Sequence, residues 1–212
     1  MGVIDEREMW ALCEARARAT PELPLIVDER SRQIGFGAYR DRALRVAAGL
    51  AALGVRSGDR VSWQLPTWIE SAVLLAALAR LGAVQNPILP IYRERELRHI
   101  VGQVRPRLLV VPSLWRGFDH AQMARKITAG GECQVLVCDR ELPEGDPKAL
   151  EPIGARDADA LRWILYTSGT TSAAKGALHS DASIATGAMG VALSLGVGSD
   201  DRWAIPFPFT PR

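Results

Sequence analysis

The sequence predicts an α/β fold, a mostly parallel sheet flanked by helices. Three observations carry the prediction. From residue 43 onward, apolar residues at helical spacing alternate with short strand-like runs, the order that sets parallel strands side by side with helices on their faces. Glycines punctuate the pattern, with Gly54, Gly82 and the pair Gly130-Gly131 each closing a helical run. The 212 residues are 48% hydrophobic, enough to bury a sizeable core.

Taken in order, Met9, Leu12 and Cys13 give a partial helical stripe that ends before Thr20-Pro21-Glu22. Residues 25–27 and 33–36 read as short strands of a hairpin around 28–32. Ala43, Val46, Ala47 and Leu50 fall at i, i+3, i+4, i+7, a helix face. A strand at 60–65 precedes a helix over 68–81, apolar nearly all round and so expected to be buried. Leu97, Ile100, Val101 and Val104 form the next helical face, and 108–111 the next strand. Asp119 can cap a helix through Ile127, followed by a strand at 134–137. Residues 142–157, rich in proline, glycine and charge, read as a surface connection. A strand at 162–166, a short one at 177–179, a helix marked by Ile184, Gly187, Ala188 and Val191, and a strand-like 203–205 complete the chain. Asp181 is expected at that helix's N-terminus, helped by Ser180.

Charge and cysteine content narrow the function classes. Twenty-six basic residues against 24 acidic give a net charge of +2, which offers no electrostatic hold on nucleic acid. Cys13, Cys133 and Cys138 have no metal-ligand spacing, which predicts a reduced, cytoplasmic chain without a metal centre. The first 18 residues are charged, unlike a signal peptide, and the longest apolar run, 72–79, is too short to cross a bilayer. His99 and His120 read as helix-surface residues, His179 as a structural strand residue, and Trp63, Trp68, Trp115 and Trp203 as core or interface fillers.

The chemistry concentrates in residues 163–176, Trp-Ile-Leu-Tyr-Thr-Ser-Gly-Thr-Thr-Ser-Ala-Ala-Lys-Gly. An apolar strand stops in hydroxyl and glycine residues, and Lys175 and Gly176 follow. Small residues let backbone N–H groups converge into an anion nest, hydroxyls add donors, and the lysine adds a compact positive charge. The pattern departs from the Walker loop, since Ala174 stands where that motif needs glycine and Gly176 where it needs Ser or Thr. Spacing alone leaves two readings open, a solvated turn and a phosphate cradle. Thr167 also fits as the last residue of a strand, and Lys175 as a free surface lysine.

Leu165 to Lys175 resembles the signature loop of the AMP-forming acyl-adenylate enzymes, whose usual form is Tyr-Thr-Ser-Gly-Thr-Thr-Gly-x-Pro-Lys-Gly; here Ser172 replaces a glycine and Ala174 a proline. The resemblance extends over Ala48-Gly49-Leu50, Gly58-Asp59-Arg60-Val61, Leu81-Gly82-Ala83-Val84 and Asn86-Pro87. It implies the first part of an acyl-CoA synthetase large N-terminal domain, with residues 1–152 as a first α/β subdomain and 153–212 as the start of a second. Asn86 to Arg93, with Gly117 to His120, is similar to synthetases of alicyclic, aromatic or medium-to-long-chain acids, which places the chain in fatty-acid and lipid metabolism.

The resemblance implies ATP-dependent adenylation of a carboxylic acid, then transfer to coenzyme A, with ATP, Mg2+ and CoA as co-substrates. It assigns Thr167, Ser168, Gly169, Thr170, Thr171, Ser172, Lys175 and Gly176 to phosphate binding, Lys175 as the catalytic group that balances leaving charge, and Gly169 and Gly176 to the turn. The family's later motifs, including the adenine and acyl pockets and the lid lysine, do not follow Pro206-Phe207-Pro208-Phe209. The expectation is a truncated portion, inactive alone, whose partner is the remainder of a split enzyme or a second copy. The alternatives are a non-catalytic nucleotide- or phosphate-binding module, or a remnant.

Overall fold

The computed structural model describes residues 6–155, 157–167, 174–198 and 200–205. Helix α1 (Met9–Ala19) leads into a hairpin, β1 (Pro24–Val27) and β2 (Gln33–Gly35), then α2 (Phe36–Ala52). The alternating part follows as β3 (Arg60–Trp63), α3 (Ile69–Leu81), β4 (Val84–Pro87), α4 (Glu94–Val104) and β5 (Leu108–Val111). A two-residue hairpin, β6 (Leu114–Trp115) and β7 (Phe118–Asp119), enters α5 (His120–Thr128), and β8 (Gln134–Val137) comes next. The last elements are β9 (Leu161–Thr167), β10 (Lys175–Ser180) and α6 (Asp181–Ser194).

Six strands form one sheet in the order β10-β9-β4-β3-β5-β8. All neighbours pair in parallel except β10, which runs antiparallel to β9. Alternation along β5 shows how the sheet divides two cores. Leu108 and Val110 join α1, α2 and α3 on one face, through Trp10, Ala43, Val46, Leu50, Leu74 and Leu78. Leu109 and Val111 face the other way, towards Leu97, Ile100 and Val104 of α4 and Met123 and Ala124 of α5. Helix α3 is buried nearly all round, as its composition predicts, and ends on Gly82 in the left-handed conformation (φ 70°), where a side chain would be strained. Among the described residues no helix is long and apolar enough to cross a membrane.

Three features differ from the sequence expectations. Val84–Pro87 is a strand and a fully buried one, inside the sheet, although Gln85, Asn86 and Pro87 have poor strand character. Polar contacts make it possible. Ser62 Oγ donates to Asn86 Oδ1 at 2.8 Å, Asn86 Nδ2 donates to the Ile164 carbonyl at 2.8 Å, and Gln85 Nε2 donates to the Leu75 carbonyl at 3.1 Å. Pro87 brings no N–H to a ladder, and only Gln85 and Trp163 are register partners between β4 and β9, so the Asn86 carboxamide supplies a bond that backbone does not. Second, residues 203–205 are not in a strand, and Trp203 and Ile205 are exposed. Third, the 142–157 connection is held tightly at its start. Leu142 is buried, Gly145 N–H donates to the Arg45 carbonyl, and a Cβ on Gly49 would lie 2.3 Å from the Pro143 oxygen, so only glycine fits under this crossing.

Glu70, in the first turn of α3, is buried and takes two hydrogen bonds from Arg32, at 2.9 and 3.1 Å, with Arg42 at 3.4 Å. Burial, the largest single influence, would raise its pKa, but the Arg32 hydrogen bonds, a backbone hydrogen bond and the Arg32 and Arg42 charges together outweigh it and hold the carboxyl below its ordinary value. Its stabilisation is therefore complete above the unfolded carboxyl value of about 4.3 and is lost as pH falls from there through the lower folded value. Glu70→Gln is expected to reduce stability at pH 7 and to flatten the acid limb of a stability–pH curve followed by circular dichroism. Asn86→Ala, which strips partners from Ser62 and the Ile164 carbonyl, is expected to lower unfolding free energy by about 1–3 kcal/mol in urea titration.

Candidate functional site

Strand β9 runs parallel to β4 and delivers Thr167 to the carboxyl end of the sheet, the end at which open α/β sheets bind their ligands. The chain returns antiparallel as β10. Thr167 and Lys175 are direct register partners, so the two ends of the intervening loop are closed against each other. Directly opposed residues of an antiparallel pair project from the same face with Cβ atoms roughly 4.5–5.5 Å apart. The Thr167 hydroxyl and the Lys175 ammonium thus share one face, and both residues are exposed. Lys175 has no ion pair among the described residues, whereas Lys126 is committed to Glu94 at 2.8 Å. Ser168, Gly169, Thr170, Thr171 and Ser172 lie outside the described residues.

Gly176 is placed differently from the expectation that it serves the turn. It lies inside β10, opposite Tyr166, and does not have a positive φ. A Cβ there would meet Ile164 Cγ2 at 3.0 Å and Tyr166 ring atoms at 3.3 Å. Its lack of a side chain makes room for the Tyr166 ring, whose hydroxyl then donates to Gln103 Oε1 of α4 at 2.7 Å.

Two of the three histidines depart from their sequence reading. His99 is half-buried, with Nε2 3.0 Å from the Ala174 carbonyl, immediately before Lys175. A carbonyl only accepts, so His99 Nε2 carries the hydrogen. His120 is fully buried because the Trp115–Phe118 hairpin folds both aromatic edges onto its ring, with centroids at 6.1 and 5.1 Å. Its Nδ1 lies 3.2 Å from Gln64 Oε1, and Gln64 Nε2 donates to the carbonyls of Leu89 and Tyr92. That carboxamide leaves only its oxygen for the imidazole, so Nδ1 donates and Nε2 is a bare, unpartnered acceptor. Burial, and then the nearby Arg93 charge, lower its pKa to about 4 against an opposing pull from Asp119, so the ring is neutral near pH 7. His179 is half-buried in β10, and Ser183 Oγ lies 3.4 Å from its Nδ1.

Asp181 does start α6, behind a reciprocal pair of bonds between Ser180 and Ser183. Its buried carboxylate accepts from Trp163 Nε1 at 2.7 Å and from Met9 N at 3.0 Å, tying β9 to the first helix. The three thiols are not activated. Burial pushes Cys13 up to about 12 and Cys133 and Cys138 to about 11, which keeps them protonated and weakly nucleophilic. A cleft of about 620 Å³ opens at the opposite end of the strands, between Gly58, Arg60, Arg105, Arg107, Gly130 and Cys133, away from the loop.

The sequence singles out Thr167, Lys175 and Gly176 as candidates, but not Asn86, His99 and Gln103, which hold the strands and ends around them. Their partners lie 63 to 78 residues away, and only the Asn86-Pro87 pair carried a local signal.

The AMP-binding enzyme family matches residues 13–210. The medium-chain fatty-acid–CoA ligase of Escherichia coli K12 is 26% identical over 204 residues, covering 91% of this chain and 36% of the ligase. The 2-hydroxy-7-methoxy-5-methyl-1-naphthoate–CoA ligase of Streptomyces carzinostaticus is 38% identical over 152 residues, covering 69% of this chain and 27% of the ligase. The o-succinylbenzoate CoA synthetase of Bacillus subtilis, solved with ATP and magnesium ion, superposes with a TM-score of 0.79 at 25% identity, over 94% of this chain and 39% of that one. The chain spans less than half the length of these three relatives. Matched along its sequence and in its mostly parallel sheet, the chain belongs to the AMP-binding enzyme family.

Proposed function

We propose that this chain forms the phosphate-handling part of an AMP-forming acid–thiol ligase. In the first step a substrate carboxylate oxygen bonds to the α-phosphorus of magnesium–ATP and the bridge to the β-phosphate breaks, releasing pyrophosphate. In the second the thiol of coenzyme A attacks the acyl carbon and AMP leaves. The observation that carries the reading is the closure of the loop by Thr167 and Lys175 at the carboxyl end of a parallel sheet, with the ammonium free of ion pairs among the described residues. Thr167, Ser168, Gly169, Thr170, Thr171 and Ser172 would donate to the β- and γ-phosphates, and Gly176 would keep the returning strand close. Lys175 is the catalytic group. Charge builds on the departing pyrophosphate, and a preplaced cation stabilises it there more than in the bound substrate.

The reading divides the chain into a first subdomain, 1–152, and the start of a second, 153–212, joined through one sheet. It also gives the exposed apolar side of β10 and α6 an occupant. Among the described residues α6 buries only Asp181 and Ala182, while Leu178, Val191, Leu193 and Leu195 are exposed. Apolar surface of that extent is normally covered. Further polypeptide of the same ligase, corresponding to the length of the relatives beyond the matched part, is the cover that we assign to it. The acid belongs to the same proposal, an aromatic, alicyclic or medium-to-long-chain carboxylate.

Calorimetry on the 212-residue chain tests the loop. Lys175→Ala is expected to weaken ATP binding about tenfold, the value of one charge-assisted hydrogen bond, and to leave AMP binding unchanged. Equal loss for both nucleotides, or no ATP binding by the unaltered chain, would overturn the reading. Incubated with ATP, magnesium and a panel of acids, the same chain is expected to release no pyrophosphate; turnover like that of a full-length ligase would show that the chemistry needs nothing beyond these residues.

A further inference from the structure

Helix α4 touches both ends of the loop. Gln103 accepts from the Tyr166 hydroxyl at 2.7 Å, one residue before Thr167, and His99 donates to the Ala174 carbonyl at 3.0 Å, one residue before Lys175. The two side chains are four residues apart, so they stand one above the other on a single helix face, about 5–6 Å apart at Cβ. The helix itself is packed against the sheet. Leu97, Ile100 and Val104 sink into the core that also contains Ile164 and Tyr166, with Ala174 packed against its edge.

We propose that His99 and Gln103 are positioning residues, a two-pronged anchor by which α4 sets the separation and tilt of the strands that carry Thr167 and Lys175. Neither would touch a nucleotide. Gln103 acts through Tyr166, whose ring lies over Gly176 and so steers the returning strand. His99 acts through the peptide unit that joins Ala174 to Lys175, and thereby orients the backbone from which the ammonium projects. The register pairing of β9 with β10 fixes which residues face each other, while the anchor fixes how the two loop ends sit against α4. The inference rests on the phosphate reading of the loop for its functional half, and on geometry alone for its structural half.

Two measurements on the 212-residue chain separate these halves. Hydrogen exchange is read over the segment 174–177, and ATP and AMP affinities are read by calorimetry. His99→Ala and Gln103→Leu are each expected to speed exchange in 174–177 with no change in β3 and β5. Together they are expected to weaken ATP binding about tenfold, the value of two lost hydrogen bonds, with AMP binding unchanged. His99→Gln keeps an N–H donor and Gln103→Glu keeps an acceptor, so both are expected to behave like the unaltered chain within about twofold. Tyr166→Phe keeps the ring over Gly176, and adding Gln103→Leu to it should cost nothing more, because both remove one bond. Unchanged exchange in 174–177, or exchange that rises equally throughout the sheet, overturns the anchor. If the unaltered chain binds no ATP, the phosphate reading has failed, and the exchange comparison alone decides for or against the anchor.

Discussion

A hydroxyl, a carboxamide and a carbonyl in line across three strands decide where β9 lies. Ser62, Asn86 and the Ile164 backbone form this relay inside the sheet, where water cannot substitute for a missing partner. Each bond contributes modestly when made, but an unmade one in such a place costs considerably more. Strand β4 is four residues long and ends in proline, so its grip on β9 is short of backbone contacts. The site depends on that grip, since Thr167 stands at the far end of β9 and reaches the carboxyl edge only if Ile164 is held in register.

The parts of the fold legible in the sequence were those built from apolar period. Residues 108–111 and 134–137 are strands to the residue, and α3 and the Asp119-capped α5 fall where their stripes and caps place them. Polar interiors were not legible. Gln85-Asn86-Pro87 does not look like a central strand because its partners, Ser62, Leu75 and Ile164, are distant in sequence. His120 fits a helix surface by periodicity, and only the folding of Trp115 and Phe118 back over Gly117, at φ 75°, encloses it. The loop shows the same division. Its hydroxyls, glycines and lysine are conspicuous in one dimension, whereas the residues that hold its ends come from a helix some 60 to 75 residues earlier.

The electrostatics separate structural ion pairs from the candidate site. Arg32, Glu70 and Asp28 pin the first hairpin to the start of α3, and Arg45 with Glu144 pins the long connection to α2. Lys175 belongs to no such pair among the described residues. It stands on a strand end opposite the Thr167 hydroxyl, and the carbonyl of the residue before it is already engaged by His99.

The Asp181 carboxylate closes a circuit between two distant parts of the chain, since the amide that starts the first helix waits for an acceptor 172 residues downstream. During synthesis α1 therefore emerges with its leading N–H groups unsatisfied and the indole of Trp163 not yet made. Contacts of such separation form late and slow the approach to the native state. The order in which the ribosome releases the polypeptide thus leaves the amino-terminal layer provisional until β9 and the start of α6 have appeared.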